Sequence, residues 1–159
     1  MDLSQSKCEE GAEIIIFEKA VIGKALSIWK KGNMEKDDTA IRMASGRFEM
    51  MKDINPLAKY FGGVAKIQLR DGDLEKNLID VFQSMDVIMQ QSDADFDYLF
   101  RACKQMLYHL SSDDGFFDFD FVASSESTLD EVKKIISEIN ANGPQKKLLA
   151  KLYLCLVTL

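Results

Sequence analysis

Apolar residues return every three or four positions in one segment after another of this chain, and that rhythm restricts it to helices packed on helices. The clearest instance is Leu74, Leu78, Val81, Phe82, Met85, Ile88 and Met89, with Asp80, Asp86 and Gln90 between them. A second is Phe96, Leu99, Phe100, Cys103, Met106, Leu107 and Leu110 on a helix expected from about Ala94 to Leu110 and capped by Ser92 or Asp93. Ile41, Ala44, Phe48 and Met51 form a third, on a helix opened by Asp37 and Asp38 and running to about Lys52. Asp73 is a good N-cap for the helix that follows it, and Thr128 with Glu131 three residues on reads as a capping box. That last helix is expected to end near Asn140, and a terminal one to run to Leu159.

The first helix is expected from about Glu9 to Lys31, closed by Gly32-Asn33. Its acids stand early and Lys30 and Lys31 late, as the helix dipole prefers. Its apolar residues cover more than one face, which suits a central helix or one shared with a second subunit. Between Pro56 and Leu69 the reading is less regular: a short helical turn to Phe61, a break at Gly62-Gly63, then a brief strand or a further turn. The expected fold is therefore predominantly α, a compact bundle of about six helices with a short extended or β segment in the 111–127 loop. The chain of 159 residues reads as a single helical domain over 1–159, in which 1–8 need not be ordered.

Few kinds of chemistry fit the residues present. Cys8, Cys103 and Cys155 form no CxxC pair and no disulfide framework, so a reducing, intracellular compartment is expected. The opening residues lack the apolar core of a signal peptide, and no apolar run is long enough to span a bilayer, so no membrane partner is expected. His109 is the single histidine and would have to serve any triad. It lies six residues from Cys103, about 240° around a helix, so the two cannot act together there. Setting Gly115 at the sixth position of a calcium loop puts Leu110 first and Phe121 twelfth, where oxygen ligands are required, and the motif fails. There is no GxGxxG or GK[ST] phosphate cradle. No cofactor, metal or catalytic residue is expected.

Charge is distributed very unevenly. Ten basic residues stand against five acids between Lys24 and Arg70, and fifteen acids against three bases between Asp71 and Glu131. Two surfaces follow. Lys30, Lys31, Arg42, Arg47, Lys52, Lys59, Lys66 and Arg70 are the residues an RNA or DNA backbone would meet, although the whole chain, at −6, repels nucleic acid. Phe117, Asp118, Phe119, Asp120 and Phe121 alternate with period two, an extended segment with one aromatic face that suits docking to a protein partner. Excess apolar surface on the first and last helices points to a homo-oligomer, with Ile15, Phe17, Ile22, Trp29, Leu152 and Leu156 as its interface. The leading expectation is a non-enzymatic interaction module that self-associates and binds a protein, and the alternative is a helical nucleic-acid-binding protein.

Overall fold

The computed structural model describes residues 3–91, 95–113 and 127–159, with the side chains of 3–18 and 113 outside the description. Seven helices make up these residues, and no strand occurs among them: α1 (Leu3–Glu35), α2 (Asp38–Met51), α3 (Pro56–Leu69), α4 (Leu74–Met89), α5 (Phe96–Asp113), α6 (Leu129–Asn142) and α7 (Lys146–Thr158). α1 to α4 pack in chain order, each on the next, while α7 packs on α5 and α6, and α3 and α4 join the two groups. One apolar core runs through all seven, from Ile22 to Leu156.

The expected caps are in place. The Asp37 carboxylate accepts from the amides of Thr39 and Ala40, Asp73 from Glu75, and the Thr128 hydroxyl from Glu131, each meeting donors that a helix start leaves open. Asn55 caps α3 through the Leu57 amide, and Pro56 follows at the first helical position, where its missing N–H is no loss. Asp95 accepts from the Tyr98 amide at 3.1 Å, while Ser92 and Asp93, the expected caps of α5, lie outside the described residues.

Two expectations are corrected. α1 does not stop at Gly32-Asn33 but continues to Glu35. Its end is a left-handed Lys36 (φ 53°), which lets the Asp37 amide reach back to the Gly32 carbonyl at 2.8 Å. The same device closes α3, where Arg70 is left-handed (φ 57°) and the Asp71 amide returns to the Lys66 carbonyl at 2.9 Å. The second correction concerns Gly62-Gly63, which does not break the chain: α3 passes straight through it. A Cβ on Gly62 would stand 3.2 Å from the Phe48 Cβ of α2, and one on Gly63 would stand 2.7 Å from Val81 of α4. The pair gives up helix propensity so that two neighbours approach the α3 backbone at once. With Ala58, Tyr60, Phe61, Val64, Ala65 and Ile67 also buried, α3 is the central helix, a place the sequence had suggested for the first helix.

Several polar side chains between the helices are matched, although the Tyr98 hydroxyl is buried with no hydrogen-bond partner among the described residues. The Trp29 indole N–H donates to Gln68 Oε1 at 2.8 Å, Gln68 Nε2 to Asn33 Oδ1 at 2.9 Å, and Asn33 Nδ2 to Gln105 Oε1 at 2.7 Å. That ladder ties α1 to α3 and α5. Tyr60, fully buried, donates its hydroxyl to the Leu99 carbonyl at 2.7 Å, a second tie between α3 and α5.

Candidate interaction surface

The expected interface residues divide into two groups. Ile22, Trp29, Leu152 and Leu156 are buried in the chain's own core, so the apolar excess attributed to them is satisfied within one molecule. Ile15 and Phe17 fall on α1 at positions whose side chains lie outside the described residues. Phe117, Asp118, Phe119, Asp120 and Phe121 lie outside them altogether, and α5 extends to Asp113, past its expected end at Leu110.

The basic stretch is not gathered into one free patch. Arg42 pairs with Asp71 at 2.9 Å, Lys52 and Lys66 both hold Glu49 at 2.6 Å, and Lys59 lies 4.0 Å from Asp80. Four of the eight candidate phosphate contacts thus already face carboxylates, two of them (Asp71 and Asp80) from the acidic half of the chain. Lys52 first, and Lys66 with it, hold the Glu49 carboxyl below its ordinary range by hydrogen bonding to the charged form. Lys30 stands 4.2 Å from the centre of the Tyr98 ring, a cation over an aromatic face. Lys31 and Arg47 are exposed and half-buried respectively, and Arg70 is the left-handed cap of α3.

Nucleophiles in the core are held inert. Burial pushes the Cys103 thiol up to about 12, against a smaller opposing effect of its hydrogen bond with Tyr60, and burial raises Cys155 as well. Among the described residues no three His, Cys, Asp or Glu side chains stand close enough to share a metal ion. No described helix is long and apolar enough to cross a membrane.

One exposed apolar surface is the outward face of α2. Its inward face carries Ile41, Ala44, Phe48 and Met51, as the spacing requires. On the opposite side Met43 and Met50 are exposed, the latter at 77%, with Gly46 between them and Ile54 just beyond the helix end at 61% exposure. Thioether side chains in water give up burial that a partner could supply, and their flexibility lets them fit varied surfaces. Ile54 continues this stripe into a cleft of about 540 Å³ between the α2–α3 turn and α4, where Val87 is exposed opposite and Lys52, Lys59 and Lys76 stand around it with Asp53 and Asp80. This face was readable in the sequence. Met43, Gly46 and Met50 recur at steps of three and four, offset from the core set, but the core set alone drew attention.

No family model, no curated protein and no solved structure matches the chain.

Proposed function

We propose that the protein is a non-enzymatic interaction module that self-associates and binds a protein partner. The observation that supports this best is the outward side of α2, where Met43 and Met50 stand in solvent, with Ile54 just past the helix end, on a helix whose other face is packed. Large apolar side chains exposed along one helix face are candidates for burial against a partner. In the sequence, the alternation from Phe117 to Phe121 is a second candidate for partner docking, by strand addition or into a basic, apolar groove on a partner. Binding to nucleic acid through Lys30 to Arg70 has less support, because Arg42, Lys52, Lys59 and Lys66 are engaged with carboxylates of the same chain.

Light scattering on a sizing column, at several loading concentrations and at low and high salt, tests the reading. A species of twice the chain mass or more, free of 260 nm excess, supports it. A monomer at every concentration removes the self-association half, and a salt-sensitive peak with strong 260 nm absorbance replaces it with nucleic-acid binding.

A further inference from the structure

From Gly23 onward, the helical glycines among the described residues sit at close helix crossings, with two exceptions. A Cβ on Gly32 would stand 2.9 Å from the Ala40 Cβ, and those on Gly62 and Gly63 would press on α2 and α4. Each marks a point where a neighbouring helix comes too near for a larger residue. Gly46 and Gly23 have nothing within 4 Å of the same position. Around Gly23 the exposed described residues are Lys19, Ala20, Lys24 and Ser27, while Leu26, three residues on, is half-buried against the core. Gly46 instead lies between Met43 and Met50, in mid-helix, where glycine destabilises relative to alanine and no neighbour among the described residues accounts for it.

We infer that α2 forms the seam of a two-fold dimer, with the α2 helices of two copies crossing antiparallel at Gly46. The inference rests on the self-association proposed above and names its surface. A two-fold interface must be self-complementary, and the stripe is. Met43 lies three residues before Gly46 and Met50 four after it, so an antiparallel partner sets Met43 of each copy against Met50 of the other, with bare backbone at the centre. Thr39 then faces Ile54.

Charge selects the same orientation. At the start of α2 the corner residues Glu35, Lys36, Asp37 and Asp38 sum to −2. Around its end Glu49, Lys52, Asp53, Lys59, Lys66, Lys76 and Asp80 sum to +1. Antiparallel pairing sets acid against base at both ends, and parallel pairing sets acid against acid. Helix dipoles favour the antiparallel arrangement too.

Area decides how far the contact extends. A 14-residue helix is about 21 Å long and about 10 Å wide, well short of the roughly 800 Å² per partner of a standard interface. The ends must therefore contribute. Met34, 86% exposed at the acidic corner, and the Ile54–Val87 cleft at the basic end are the apolar surfaces available there.

Sedimentation equilibrium on the full chain and three single variants, with melting curves on each, tests the inference. The Cβ of Gly46→Leu has no described atom within 4 Å and leucine improves helix propensity, so the monomer should melt no lower while dimerisation weakens at least 10-fold. Met50→Glu, at an exposed site, should weaken it similarly with an unchanged circular dichroism spectrum. Arg47→Ala removes the one like charge that this pairing brings near the centre and should tighten the dimer. A dimer indifferent to Gly46→Leu and Met50→Glu overturns the seam while self-association stands, and the double variant Ile15→Asp, Phe17→Asp then tests α1 in its place. A wild-type chain that stays monomeric overturns both.

Discussion

Gly63 and Gly46 are both mid-helix glycines, and their surroundings are opposite. Around Gly63 a Cβ would overlap Val81 Cγ2 at 2.7 Å and crowd the Asn77 carbonyl at 3.2 Å, whereas around Gly46 it would meet nothing within 4 Å. One glycine is explained by the chain and the other is not. The contrast separates the two effects of a helical glycine, lost helix propensity and gained closeness, because only at Gly63 does the fold itself make use of the second.

Substitution by alanine should therefore give opposite signs. Gly63→Ala forces Val81 and the α4 backbone away from α3, and it is expected to lower stability by about 1–3 kcal/mol in urea unfolding despite the better propensity. Gly32→Ala presses on the Ala40 Cβ and on the Ile41 amide at 3.1 Å, and its loss should fall toward the lower end of that range. Gly46→Ala should instead raise monomer stability by roughly 0.5–1 kcal/mol. If it lowers stability, α2 has a contact within the chain that its geometry does not account for, and the contrast fails.

The smallest expected effect belongs to the surface beside this seam. Lys52 and Lys66 depress the Glu49 carboxyl, so the stabilisation they provide is present above the ordinary glutamate value of about 4.3 and is lost as pH falls through the folded-state value. Glu49 is half-exposed, which limits the gain to about 0.2–1 kcal/mol at neutral pH. Glu49→Gln should show that loss at pH 7, and its unfolding curve should converge on the wild type's once the pH falls below the lowered folded-state value.

Legibility followed from where a helix spends its apolar residues. α4 keeps them on one face, and the expected span from Leu74 to Met89 is the observed one. Asp37, Asp73 and Thr128 could be read as caps because a single side chain performs that task locally. α3 could not be read, since a helix buried over most of its surface leaves only a narrow polar strip, at Lys59 and Lys66, to set its period, and its glycines look like breaks until the neighbours they admit are seen. The site was legible only in half. Exposure of Met43 and Met50 follows from the inward set on α2, but the burial of Trp29 and Leu156 depends on α3 and the other helices that cover them, which no local pattern announces.

The left-handed caps at Lys36 and Arg70 carry a consequence for the order in which the chain assembles. Each joins two helices that are neighbours in sequence and in space, so α1 to α4 close through turns of a few residues at little loss of chain entropy. α7 reaches its partner α5 only across the whole of α6 and its connections. Short-range contacts form faster than long-range ones. During refolding, the first four helices should acquire amide protection before the last three, and α5 should lock on when Leu99 offers its carbonyl to the waiting Tyr60 hydroxyl.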